Sequence, residues 1–263
     1  MNKYKHVNLT DNILSGLTVG YIQFYNFTKS AEVFEKRMIE YLLTVSVATK
    51  LYDQISFDSK MQINIEYPLR QFYNNAFPEI KFVKKKGSFG GSRLIRRKFN
   101  PEPSKQRIDI AVTKAGQGFS RRSIYGIELK AINTSYTSII NDLRRLSEGM
   151  ISNDKIDSNS ITKCYSGFIK FYKNSFKPSK IRDLKNFRSN IISKVQNLLS
   201  QNFIKNKKYK QLDYRISTAI IDTQSAEEYK AIYSNQTDFI PEYRDATNET
   251  GEILAVVIQI KRK

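Results

Sequence analysis

Cysteine and histidine are almost absent from this chain of 263 residues, which has only Cys164 and His6. So few thiols exclude a disulfide framework, and one of each residue excludes a Cys/His zinc site. The usual general base and the thiol nucleophile with an imidazole partner are also missing. Any catalysis has to rest on carboxylates, lysine and a metal ion. Long apolar runs are lacking too: Tyr41 to Val47 and Ile253 to Ile260 are the longest candidates, far short of a spanning helix. Lys3 and Lys5 stand near the N-terminus, but Asp11 and Asn12 interrupt what would be the apolar part of a signal peptide. The expectation is a cytoplasmic protein in a reducing setting with no membrane partner. Cys164, within KCYSGFIKF, is expected to be a small buried residue, and His6 a surface one.

Acidic residues are scarce beside basic ones. Forty-four Lys and Arg against 25 Asp and Glu leave a formal charge of +19 and a pI of about 9.8. Such an excess favours a polyanionic partner, nucleic acid ahead of an anionic membrane surface. Apolar content is ordinary at 40%, so a packed core is expected, and the length suits one large domain with additions.

The stretch that carries chemistry runs from Arg107 to Ile132, RIDIAVTKAGQGFSRRSIYGIELKAI. It reads as two strands, Arg107 to Thr113 and Ile124 to Ile132, joined by a polar, Gly-containing connection that closes a hairpin. Alternate residues of a strand face opposite sides. Ile108, Ile110 and Val112 are expected on one face with Asp109 on the other; Ile127, Leu129 and Ala131 on one face with Glu128 and Lys130 opposite. Two carboxylates held close repel each other unless something positive lies between them. A hard divalent cation meets that need with oxygen ligands, and Lys130 would point at whatever the cation holds.

Asp109 followed by Glu128-Leu129-Lys130 resembles the signature of the PD-(D/E)xK nuclease superfamily, which includes many restriction endonucleases, repair nucleases and phage-defence nucleases. The resemblance covers about Ala31 to Met150. Ile108 stands where that family often has proline. The resemblance implies an α/β fold of restriction-endonuclease type, with a mixed central sheet flanked by helices and, here, C-terminal additions. It implies a Mg2+-dependent endonuclease (Mn2+ as an alternative) acting on DNA, with RNA and a homodimer left open. Asp109, Glu128 and the carbonyl of Leu129 would bind metal, and Lys130 would offset charge on the phosphoryl group. The family's first helix commonly adds a glutamate; EKRMIEYLL resembles that helix and places it at Glu35, with Glu32 and Glu40 as competitors.

The remaining segments follow in order. Residues 1–28 are read as an arm with a short helix from Thr10 or Asp11. A helix is expected from Lys29 to Leu51, capped by Ser30, with Val33, Phe34, Met38, Tyr41, Leu42 and Val45 buried. Lys60 to Leu69 alternates Met61, Ile63, Ile65 and Tyr67 against polar residues, as a half-buried strand does, and leaves Glu66 on the polar face. A basic, Gly-rich loop follows, whose Lys84, Lys85, Lys86, Arg93, Arg96, Arg97 and Lys98 are candidates to contact phosphates. Tyr136 to Met150 reads as a helix; its Asp142, Arg144, Arg145 and Glu148 either reach the cleft or face solvent. Lys163 to Tyr172 is an apolar strand, completing the order helix, three strands, helix, strand. Lys180 to Phe203 is an amphipathic helix with Ile181, Leu184, Phe187, Ile191, Val195 and Leu198 as its stripe; its basic face, continued by Lys205, Lys207, Lys208 and Lys210, either extends the nucleic-acid surface or is solvated. Tyr214 to Ile221 and Glu252 to Lys261 read as strands, with a short helix near Glu227 to Tyr233. The core spans about 29–175 and the C-terminal extension 176–263 of one nuclease domain. The alternative is a nucleic-acid-binding protein with a degenerate nuclease fold and no activity.

Overall fold

The computed structural model of the chain describes residues 8–28, 36–55, 58, 60–76, 81–84, 92–95, 106–116, 121–151, 160–171, 181–221 and 253–263; the side chains of 26–28, 36–38, 81–84, 92–95 and 181–185 lie outside that description. The elements in chain order are α1 (Leu9–Thr28), α2 (Lys36–Ile55), β1 (Met61–Pro68), α3 (Leu69–Ala76), β2 (Lys81–Lys84), β3 (Ser92–Ile95), β4 (Arg107–Ala115), β5 (Arg121–Lys130), α4 (Tyr136–Met150), β6 (Lys163–Phe171), α5 (Ile181–Leu199), β7 (Leu212–Ile220) and β8 (Ile253–Arg262). Six strands form one mixed sheet in the order β1-β4-β5-β6-β8-β7, while β2 and β3 pair by themselves. Adjacent strands are antiparallel except β5 and β6. A parallel pair needs a crossover, and α4 supplies it.

Each face of the sheet buries its own apolar cluster. On one side α1 and α2 cover Ile110, Ile127, Leu129, Tyr165, Ile169 and Val257. On the other, α3, α4 and α5 cover Ala111, Cys164, Phe168, Val256, Ile258 and Ile260. Covered on both sides, β6 and β8 read as nearly continuous apolar runs. The fold is therefore α/β with a mixed sheet between helical layers, and β7 and β8 of the C-terminal extension complete the same sheet.

Several expectations need correction. The N-terminal helix is not short; α1 runs for 20 residues. It packs against both the sheet and α2, burying Ile13, Leu14, Leu17, Tyr21, Ile22 and Phe24, and burial on two sides hides the periodicity of a single face. In α2 the buried stripe is Ile39, Leu43, Val47 and Leu51, whereas Tyr41 is 63% exposed. The phase is set by α1: a Cβ on Gly16 would come within 2.5 Å of the Val47 backbone, so the two helices meet backbone to backbone there. Val33, Phe34, the side chain of Met38 and the expected cap Ser30 lie outside the described residues, as do His6 and the stretch near Glu227 where a short helix was expected. Ile65, expected to be half-buried, is exposed on the edge strand β1. In α5 the buried series is Phe187, Ile191, Val195 and Leu199, at intervals of four, so Leu199 takes the place expected for Leu198. The helix α3 was not expected; Leu69, Phe72, Tyr73 and Ala76 bury its inner face. The stretch expected as a loop contains the short β2–β3 pair.

The hairpin itself departs from simple alternation. Glu66 takes a left-handed backbone, φ 53°, and the register that pairs Ile65 with Ile110 and Tyr67 with Ile108 sets it across from Asp109. At this kink the strands change sides. Ile110 stays in the α1–α2 cluster, but Ile108 and Tyr67 join Phe72 on the α3 side. Ile108 and Ile110 do not share a face.

Candidate functional site

The β4–β5 pairing runs as far as Ile110 with Ile127 and Ala111 with Gly126; Asp109 and Glu128 follow next on their strands, close enough that the charge of Asp109 acts on the Glu128 carboxyl. Asp109 is further fixed by its own hairpin: its Oδ2 accepts the Leu129 N–H at 2.6 Å. Lys130 follows two residues after Glu128, on the side covered by α4.

What covers these groups is polar as well as apolar. The hydroxyl of Ser135 caps α4 by accepting the Ser138 N–H at 3.2 Å. Ile139, Leu143 and Leu146 hold the helix down, and Asp142 and Arg145, on the flank of that stripe, reach the strand residues. Arg145 Nη2 stands 3.1 Å from Glu128 Oε1 and also donates to Asp142 Oδ1; Lys130 Nζ lies 3.3 Å from Asp142 Oδ2. Glu128 and Asp142 are almost sealed from solvent, at 1% and 3% exposure. The four groups make an alternating chain of charge, Glu128, Arg145, Asp142, Lys130, with Asp109 as an additional carboxylate beside it.

The balance of that cluster is negative, and the proton affinities follow. Burial pushes the Asp109 carboxyl up to about 6, against the opposing pull of the Leu129 N–H and the Lys130 ammonium, with Glu66 and Asp142 adding to the rise. Burial, then the charge of Asp109, drive Glu128 well above the ordinary carboxylate range despite Arg145. Burial acts to lower Lys130, but Asp142, Asp109, Glu128 and Glu40 outweigh it and raise it, so its amine keeps its proton. Arg145 is raised likewise, by Glu128 and Asp142 against burial.

The oxygens are incompletely satisfied. Within ion-pairing range of Arg145, Glu128 Oε1 still accepts no hydrogen bond from the described residues, and Asp142 Oδ2 has none among them beyond its ion pair with Lys130. Ser166, beside Glu128 in the parallel β5–β6 register, is fully buried with no partner for its hydroxyl among the described residues.

Of the expected residues, the structure brings together Asp109, Glu128, Leu129 and Lys130. Glu35 and Glu32 lie outside the described residues; Glu40 reaches the hairpin, where its Oε1 accepts the Ala131 N–H at 3.2 Å. Lys85, Lys86, Arg96, Arg97 and Lys98 lie outside the described residues, and Lys84 and Arg93 are described in backbone alone, on β2 and β3. Cys164 is buried, and burial pushes its thiol up to about 12, which removes it as a nucleophile. No described helix is long and apolar enough to cross a membrane.

No family model, no curated protein and no solved structure matches this chain.

The residues present can be weighed as a cation site on their own chemistry. Among the described residues no three His, Cys, Asp or Glu side chains converge as a ready cage. What the hairpin offers is a pair, Asp109 and Glu128, all oxygen, with one buried oxygen lacking a hydrogen bond among the described residues and both carboxyls pushed toward protonation, chiefly by burial. That pair suits a hard divalent cation.

Proposed function

We propose that the protein is a Mg2+-dependent nuclease of the PD-(D/E)xK type that hydrolyses DNA phosphodiester bonds as an endonuclease of restriction or phage-defence kind. The observation that carries this reading is the convergence of Asp109, Glu128 and Lys130 at one end of the β4–β5 hairpin, where Asp109 holds the Leu129 N–H and the three charges act on one another. The sheet supports it independently of those residues: a helix, three antiparallel strands, a crossover helix and a parallel strand, here α2, β1, β4, β5, α4 and β6 with α3, β2 and β3 inserted between β1 and β4, is the arrangement expected of a restriction-endonuclease-like core. The strained backbone of Glu66 beside Asp109 also fits a functional site, where such strain concentrates.

In this mechanism Asp109 and Glu128 would hold the cation, with the Leu129 carbonyl as a further ligand. The cation, when bound, supplies Lewis-acid polarisation of the phosphoryl group and a water of lowered pKa. Lys130 keeps its proton and so acts as a cation that offsets charge developing on the phosphoryl oxygens, rather than as a base. Asp142 holds the Lys130 ammonium in place. The excess of 19 positive charges favours the polyanionic substrate.

One observation favours a second reading. Glu128 is sealed under α4 and paired with Arg145, as would suit an inert ion network in a nucleic-acid-binding protein without activity. Incubation with supercoiled, linear duplex and single-stranded DNA in Mg2+ or EDTA, with Asp109→Asn and Lys130→Ala alongside, separates the two. The nuclease reading expects Mg2+-dependent cutting that both substitutions reduce at least a hundredfold. Salt-sensitive DNA binding without cutting, the same in both variants, supports the second reading.

A further inference from the structure

Arg145 occupies an unusual position. Its guanidinium sits against the one carboxylate that burial and Asp109 most disfavour as an anion, yet Glu128 Oε1 receives no hydrogen bond from it. Asp142 is the opposite case: it takes both cations of the cluster, accepting a hydrogen bond from Arg145 and an ion pair from Lys130 at 3.3 Å. Ser166, buried beside Glu128 with its hydroxyl unpartnered among the described residues, adds a second unmet polar atom at the same spot. Among the described residues, these side chains leave buried carboxylate oxygen without a matching donor.

We propose that Arg145 is a resident counter-cation that competes with a divalent ion for Glu128, and that Asp142 is the tether that takes up Arg145 when the ion binds. The inference deepens the nuclease reading and rests on it, since Asp109 and Glu128 must be the cation ligands. The physical case is one of charge. Metal-free, Arg145 offsets the buried Glu128 carboxylate. With the ion in place, Arg145 opposite Glu128 would add like charge to like, and the arginine is held instead by Asp142, to which it is already bonded. Arg145 is therefore a positioning residue that sets cation affinity without ligating anything itself.

The test is a titration with Mn2+, followed by the loss of the free-ion paramagnetic resonance signal, together with thermal melting in EDTA and in Mn2+. Arg145→Met removes the competitor: affinity for Mn2+ should rise about tenfold or more, and the variant should melt below the parent in EDTA yet recover in Mn2+. Arg145→Lys keeps the charge and should stay within a few-fold of the parent. Asp142→Asn removes the tether, leaves Arg145 to Glu128 alone, and should weaken Mn2+ binding about tenfold or more; it supplies the opposite sign should Arg145→Met fail to fold. Equal Mn2+ affinity in the parent, Arg145→Met and Asp142→Asn overturns this inference while leaving the nuclease reading standing. Absence of Mn2+ binding in the parent overturns both.

Discussion

At the scale of the residue, the cost of the site is electrostatic. A carboxyl whose folded-state pKa lies above its unfolded value binds a proton in the folded state that the unfolded chain has already released. Its stabilising effect is present at low pH and is lost as pH rises through the folded value. Asp109, raised from about 3.8 to about 6, therefore makes the protein lose stability between pH 4 and 6, and Glu128 extends the loss upward. Glu66, Asp142, Lys130, Arg145 and Glu40 are the charges that act on this pair or its partners, and Lys130 and Arg145 stay charged throughout. Asp109→Asn keeps an oxygen for the Leu129 N–H but has no proton to lose. In EDTA at pH 7.5 it should melt above the parent by the equivalent of about 1–3 kcal/mol, and the difference should vanish near pH 4. A parent that melts higher than the variant at pH 7.5 would show that the hairpin tolerates the Asp109 charge without a counter-ion.

Elements decide which of these groups meet. The helix pair α1–α2 is locked by close approach at Gly16, where an added Cβ would collide with the Val47 backbone at 2.5 Å; Gly16→Ala should destabilise by about 1–3 kcal/mol, read as a lowered denaturant midpoint. In α2, Leu43→Ala should cost about 2–5 kcal/mol, as Leu43 is fully buried, while Tyr41→Ser should stay within about 0.5 kcal/mol, since that ring is largely exposed. Strongly periodic elements were legible from the sequence: α4 has the expected bounds, β6 begins at the expected Lys163 and runs through the described part of its expected span, and Asp109, Glu128 and Lys130 stand together as their spacing implied. The phase of α2 was not legible, because it depends on where a glycine of another helix lets two backbones touch. Asp142 and Arg145 flank the apolar stripe of α4 at a three-residue spacing, a visible signal that remained ambiguous because a solvated face has the same pattern. The change of sides at Ile108 was invisible, since alternation assumes an unbroken strand and the left-handed Glu66 lies on its neighbour.

For the whole molecule, charge is the property that reaches farthest. With an excess of 19 positive charges, association with DNA as proposed would release condensed counter-ions. Its affinity should fall steeply and log-linearly with salt, with a slope of about −0.9 per phosphate neutralised. Fluorescence anisotropy of a labelled duplex in EDTA between 50 and 200 mM salt reads this directly. A flat profile would remove the electrostatic argument for a nucleic-acid partner.

The strand order also bears on how the molecule is made. β8 is synthesised after β6 and β7 yet lies between them, joined to both by antiparallel pairing along its length. Until it leaves the ribosome, β7 has no neighbour among the described strands, and β6 presents an unpaired apolar edge, Cys164 to Ile169, of the kind that recruits other chains. A nascent chain that stalls before Ile253 thus carries the acidic hairpin and its crossover helix but only part of their support, a state that the cell has reason to shield or degrade.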